Sequence, residues 1–407
     1  MKVAISLIYD GFKEVTKGTT AYHIWMAVLT LLMLFGAYAY YQQILHGLAV
    51  TGMTDRVSWG LYISNFTFLV GVAAAAVMLV LPTYILKDID FSQAVLIGEG
   101  MAVSALVMCL AFVTVDMGGP ARLWHIIPVI GVLNWPNSML AWDVIVLNGY
   151  LFFNLTIPFY LLYHHYQGRK PREAVYLPGV LISVFWAVGI HLVTAFLYAG
   201  LPARPFWNSA LLGPRFLASA FAAGPALIIL ALAVIRKYTP YSIADKTIDK
   251  IAMVVTVAAQ INLIMLGSEL FKEFYSVTHH SNSAIYMFFG IGNKNALVPW
   301  IWTSIGLNLL ATAILTVNRL RRKHNLLYLA CTLLFVAIWI DKGMGLIIPG
   351  FIPGPWGNIV EYFPTWVEIA VTIGIWALGA FVFTLLVKIA VPIETGKLRY
   401  RGNQSAG

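Results

Sequence analysis

The sequence predicts an all-α integral membrane protein, a helical bundle of about ten transmembrane helices, and three observations carry that prediction. Sixty per cent of the 407 residues are hydrophobic and only 11% are charged, whereas a soluble domain is about 25% charged. The apolar residues fall into runs long enough to cross about 30 Å of hydrocarbon at 1.5 Å per residue. The basic residues sit between those runs and not on one polar surface, which excludes a nucleic-acid face despite a formal charge of +9. No extended polar stretch is left over, so residues 1–407 are expected to form a single polytopic membrane domain.

Residues 1–21 place Lys2, Lys13 and Lys17 around an apolar patch. The next apolar run is too long for a signal peptide and lacks a small-residue cleavage site, so this segment is expected to remain and lie at the membrane interface. Ten spans then follow, about 22–45, 58–86, 91–115, 139–163, 176–198, 215–236, 247–271, 297–318, 326–348 and 364–391, with a polar tail at 392–407. Span 2 carries Asn65 and the small-residue stretch 71–76; span 3 carries Glu99 and ends near Asp116. Span 4 opens after Asn137 and Ser138, both good helix caps, and holds Asp143, Asn148 and Asn154. Span 5 holds His191. Span 6 starts at Arg215 and contains the small-residue stretch 218–224, span 7 ends near Glu269, span 9 holds Asp341 and span 10 Glu368. The small-residue stretches are expected to let helices approach closely.

Of the 26 Lys and Arg residues, seven (Arg56, Arg122, Arg204, Arg215, Lys272, Lys294 and Lys342) are assigned to one set of connections and the rest to the other. By the positive-inside rule both termini and the even-numbered loops are cytoplasmic. Proline and aromatic residues crowd the opposite loops, and the longest of these, 116–138 and 272–296, are apolar enough to form a platform for a soluble partner. Trp124, Trp135, Phe206 and Trp207 are expected to act there as docking anchors.

An ionised side chain inside a spanning helix costs roughly 2.5 to 3.5 kcal/mol on insertion scales, so it is normally neutralised, paired or turned to a wet cavity. Counting at 1.5 Å per residue, Asn65, Asp143, His191, Asp341 and Glu368 all fall within about 10 Å of the outer ends of their spans, with Asp116, Arg215 and Glu269 at the boundary. A one-sided layer of carboxylates, amides and a histidine beside aromatic walls suits a quinone headgroup, whose oxidation releases protons with electrons. In this reading Asp143, His191 and Glu269 handle protons, while Asn65, Asp116, His191 and Arg215 bind the headgroup. Glu99, deep in the inner half, would form a proton path with Asn148 and Asn154. The rival reading is a secondary transporter or ion channel using the same intramembrane carboxylates.

Cys109 and Cys331 lie in separate apolar runs and there is no C-x-x-C-H motif, so neither covalent haem nor an iron–sulfur cluster of its own is expected, nor any metal site. His191 is the only histidine clearly inside a span; the others, His279 and His280 among them, fall at span ends or in loops, which leaves no pair for haem b.

Four ordered motifs, Trp59-Gly-Leu-Tyr-Ile-Ser-Asn65-Phe, Asn134-Trp-Pro-Asn-Ser-Met-Leu-Ala-Trp142-Asp143-Val, Glu269-Leu-Phe-Lys-Glu-Phe-Tyr275-Ser and Phe363-Pro-Thr-Trp366-Val-Glu368, resemble the NrfD family of quinone-reactive membrane subunits, which includes that of polysulfide reductase. The runs His191-Leu-Val-Thr-Ala-Phe-Leu-Tyr-Ala-Gly-Leu and Arg204-Pro-Phe-Trp-Asn-Ser are most similar, within it, to the P subunit of the sulfite-reduction-associated transmembrane complex. The resemblance implies a prokaryotic inner-membrane subunit of sulfur metabolism that exchanges electrons between menaquinone, bound near the outer face, and an extracytoplasmic ferredoxin-like iron–sulfur partner. A multihaem cytochrome c, a haem b membrane subunit and a cytoplasmic iron–sulfur subunit are implied as further partners. Where some relatives carry a histidine in span 2, this chain has alanine throughout 73–76, so that ligand is not carried over and His191 or Asn65 would take its place.

Overall fold

The computed structural model describes residues 2–127, 129–275 and 281–400. His279, His280, Arg401 and the rest of the tail from 401 lie outside the described residues. Ten long apolar helices are present where the sequence places them: Thr20–Val50, Leu61–Ile85, Ile89–Asp116, Met139–Tyr166, Glu173–Ala199, Leu212–Tyr238, Asp245–Tyr275, Val298–Thr316, His324–Phe351 and Trp366–Glu394. They are spans 1 to 10 below. An amphipathic helix, Lys2–Thr16, precedes them.

Spans 2 to 5 form a ring in which each packs on the next and span 5 returns to span 2; spans 6 to 9 form a second ring in the same way. The rings meet chiefly where span 6 packs on spans 2 and 5, while spans 1 and 10 pair with each other and span 10 leans on span 3. This places spans 2, 3 and 6 at the centre and spans 1 and 4 largely against lipid.

The small-residue stretches do what their composition suggests. A Cβ added at Gly224 of span 6 would collide with that of Ala75 in span 2, so the two rings touch almost backbone to backbone. Gly36 and Gly374 do the same for spans 1 and 10, a Cβ on the first falling 2.7 Å from the Cα of the second.

On the face that carries the termini, basic residues tie neighbouring connections together. Lys87 pairs with Glu173 at 2.8 Å, and Lys250 reaches Asp88 at 2.6 Å and Asp90 at 2.7 Å. The opposite face is closed by aromatic rings. Trp207 is fully buried, donates to the Leu346 carbonyl at 2.8 Å, and packs with Trp59, Tyr198 and Phe351; Arg204 lies 4.9 Å over the Phe351 ring. Phe206 is buried too. These two residues are therefore plugs of this cap and not docking anchors, because they are buried within it; Trp124 and Trp135 are exposed.

Candidate functional site

Ser138 caps span 4 by accepting from the Ala141 amide, which leaves Asp143 a full turn inside the helix, buried and free of any capping duty. It accepts a hydrogen bond from Thr194 Oγ1 at 2.8 Å. On span 5, His191, Thr194 and Tyr198 recur at i, i+3 and i+7 and so share one face. That face looks into the first ring: Tyr198 is bonded to Thr67 of span 2. The His191 ring is fully buried, with Nδ1 3.0 Å from the Ala187 carbonyl and Nε2 without a hydrogen-bond partner. With Nδ1 donating, Nε2 is an unoccupied acceptor.

Across the ring boundary, Arg215 of span 6 pairs with Glu269 of span 7 and forks onto Asp341 of span 9 at 2.8 and 2.9 Å. Lys342, assigned by sequence to an outer loop, is instead buried in span 9. Its ammonium donates to the Phe216 carbonyl at 3.4 Å and lies 4.2 Å over the Phe216 ring. Two cations beside two carboxylates balance the charge, the condition under which buried ions persist. Arg215 and Glu269 are thus engaged with each other, which leaves Asp143 as the less committed carboxylate.

At the ends of spans 1 to 3 away from the terminal face, Gln43 donates to the Val115 carbonyl at 2.6 Å and accepts from the Tyr62 hydroxyl at 2.7 Å. Beside them Asp116 keeps Oδ1 enclosed and without a partner. Glu368 completes a capping box with Thr365 and accepts from the Gly52 amide at 2.6 Å and from the Tyr362 hydroxyl. Burial, and then the Glu368 carboxylate, push the Tyr362 hydroxyl well above its ordinary range. Asn65 is equally occupied, since its carbonyl oxygen accepts from the indoles of Trp339 at 3.0 Å and Trp376 at 2.9 Å while its amide donates to Leu61. Those two indoles wall a lipid-side groove of about 450 Å³ between spans 1, 9 and 10, into which Thr372, with a partnerless hydroxyl, also faces.

In the half nearer the terminal face Glu99 is buried with Oε2 unpartnered. It lines a cavity of about 10 Å³ with Tyr150, Asn154 and Ser183, about the space of one water molecule. Asn148 is not part of it: it is exposed on the outside of span 4 and donates to its own helix at Val144. The structure therefore brings Glu99 and Asn154 together and leaves Asn148 apart. Sequence reasoning missed Thr194, Tyr198, Lys342 and the indole pair; the spacing of His191, Thr194 and Tyr198 was the one available signal.

The profile of the family described as Polysulphide reductase, NrfD matches residues 49–352, a stretch that takes in both four-helix rings and leaves out most of span 1 and all of span 10. The chain is 22% identical over 394 residues to the Hdr-like menaquinol oxidoreductase integral membrane subunit of Archaeoglobus fulgidus, covering 93% of this chain and 95% of that one. It is 22% identical over 423 residues to a selenate reductase subunit of Mesobacillus selenatarsenatis, covering 91% and 94%. It is 24% identical over 395 residues to the menaquinone reductase integral membrane subunit of Nitratidesulfovibrio vulgaris, covering 89% and 90%. With a family match over both rings, residues 49–352, this chain belongs to the NrfD family.

Proposed function

We propose that this chain is the quinone-reactive subunit of a respiratory oxidoreductase, exchanging electrons between menaquinone at the outer ends of spans 1 to 5 and an extracytoplasmic iron–sulfur partner. The observation that carries the reading is the pair of enclosed, partnerless acid–base atoms, His191 Nε2 and Asp116 Oδ1, in the outer half of the first ring. A quinol hydroxyl needs such acceptors, so the residues present fit the group. When bound, the quinone supplies the two-electron chemistry with its two protons. His191 holds a proton at Nε2, Thr194 orients the Asp143 carboxylate that takes the next, and Arg215 fixes the charge of the neighbouring wall. Both termini lie in the cytoplasm, following the basic loops. The finer assignment, a P-type subunit of the sulfite-reduction-associated complex with multihaem cytochrome c, haem b and cytoplasmic iron–sulfur partners, rests on the motif around His191 and Arg204. Glu99 and Asn154, with one water between them, form the inner part of a proton path toward that site.

The test is turnover of the intact complex with a menaquinol analogue. Losing a charge-assisted hydrogen bond costs roughly 1.5 to 3 kcal/mol, so His191→Ala is expected to lower turnover about tenfold or more while membrane insertion and melting temperature hold. Unchanged turnover in both His191→Ala and Asp116→Asn removes the site.

A further inference from the structure

A second cavity lies apart from the proposed quinone site. It lies on the terminal face between spans 1, 3, 4 and 10, has a volume of about 840 Å³, and is roofed by the apolar side of the Lys2–Thr16 helix through Leu7, Gly11 and Val15. Val103 marks its deep end on span 3, fourteen residues in from Ile89, or about 21 Å. That depth is close to one leaflet of a bilayer with its interface. Spans 1 and 4, which flank it, share no packed interface among the described residues, so the slot is open to lipid from the side.

Its chemistry is polarised along its length. The walls are aliphatic and aromatic, and Asn154 at depth has its amide tied to the Tyr150 carbonyl. The mouth holds Thr16, Tyr22 and His23, with the Lys388 ammonium 4.9 Å from the Tyr22 ring. The acids nearby are already engaged: Glu14 with Lys17, Asp10 with the Tyr166 hydroxyl and Glu394 with His165. Lys388 and Lys13 make no ion pair among the described residues. A basic mouth over a leaflet-deep apolar slot selects an amphiphile with an anionic head and long chains. A quinone is a poorer fit, because its uncharged ring gains little from the Lys388 ammonium at the mouth, whereas an anionic phosphate is drawn to it.

We propose that this slot binds one glycerophospholipid with an anionic headgroup, its phosphate at Lys388 and its acyl chains running under the Lys2–Thr16 helix to Asn154. The lipid seals the small Glu99 cavity, which shares Asn154 as a wall, from the hydrocarbon. The inference shares no residue with the proposed quinone-binding groups and meets that reading only at Asn154, the wall common to the slot and the Glu99 cavity.

The experiment purifies the full chain, with any subunits that accompany it, from mixed phosphatidylglycerol and phosphatidylcholine nanodiscs and counts retained lipid by mass spectrometry after mild detergent washing. Wild type is expected to hold about one phosphatidylglycerol per chain. Gly100→Phe grows into the slot, since a Cβ there meets nothing nearer than 3.9 Å, and is expected to lower retention of both lipids about tenfold. Lys388→Glu is expected to lower phosphatidylglycerol by about tenfold while sparing phosphatidylcholine; being at the interface, it tests the idea even where Gly100→Phe disturbs folding. Equal retention across all three proteins, no preference for the anionic lipid in wild type, a retained isoprenoid quinone in its place, or a photocrosslink from Phe159 to another subunit's helix each overturns the proposal.

Discussion

At the scale of single residues, the polar groups of this chain divide into those whose hydrogen bonds are complete and those left open. Asn65 belongs to the first class, as its carbonyl oxygen joins the Trp339 and Trp376 indoles and so ties spans 2, 9 and 10. Asn65→Leu is therefore expected to strand two half-buried indole N–H groups at up to about 1 to 3 kcal/mol each, and to lower the melting temperature in detergent more than Trp339→Phe, which removes donor and contact together. Asp143 belongs to the second class. Thr194→Val keeps the shape of its partner and removes only the hydroxyl, so quinol turnover should fall about tenfold with melting unchanged; equal loss of both would make the pair structural. The sequence makes Asp143, His191 and Glu99 visible because a titratable group in an apolar run is a strong signal. It conceals Trp339 and Trp376 because spacing along a helix does not say which neighbouring helix a face meets. Lys342 is concealed for another reason: a cation close to the end of a run reads as a loop residue until its burial is known.

At the scale of elements, span positions were legible from apolar length alone, and the close approach of spans 2 and 6 from their small residues. The pairing of eight spans into two rings was not, since no repeat strong enough to assert stands out in the sequence beside the repeat of packing. Gly224 is the sharpest point of contact between the rings. Gly224→Leu is expected to overpack that seam, a change that costs typically 1 to 3 kcal/mol in a well-packed core, and to reduce recovery of folded protein by size-exclusion chromatography, whereas Gly267→Leu, where no atom lies within 4 Å of the added Cβ, should be tolerated. On the terminal face, Lys250 holds the Asp88 carboxyl below its usual range, chiefly through their hydrogen bond. A lowered carboxyl contributes above the unfolded-state value and is lost as pH falls through the folded one. Protection of the amides around residues 86–90, taken relative to their intrinsic exchange rate at each pH, should therefore fall on acidification below the ordinary carboxylate range, and Lys250→Met should show that lower protection already at neutral pH.

At the scale of the whole molecule, the two faces differ in how they are finished, and the difference bears on where a partner binds. The terminal face is laced by ion pairs, while the opposite face buries Phe206 and Trp207 inside its cap and then exposes a neighbouring apolar loop. In that loop Val129 is 102% exposed, Val132 85% and Ile130 66%, with Trp124 and Trp135 beside them. Isolated apolar side chains on a surface need no explanation, but a contiguous cluster of them marks an interaction site. The loop follows directly on Asp116, so a redox protein seated on it would stand over the proposed quinone site and within the same water-poor layer. Replacing Val129, Ile130 and Val132 together by serine is expected to leave the melting temperature of the isolated subunit unchanged, because these side chains touch little of the core. Co-purification of the proposed iron–sulfur partner should drop about tenfold, since a few central residues carry most of an interface's energy. Undiminished co-purification, or crosslinks that place the partner on the Lys87 and Lys250 connections instead, would reverse both the docking face and the assignment of the termini to the cytoplasm.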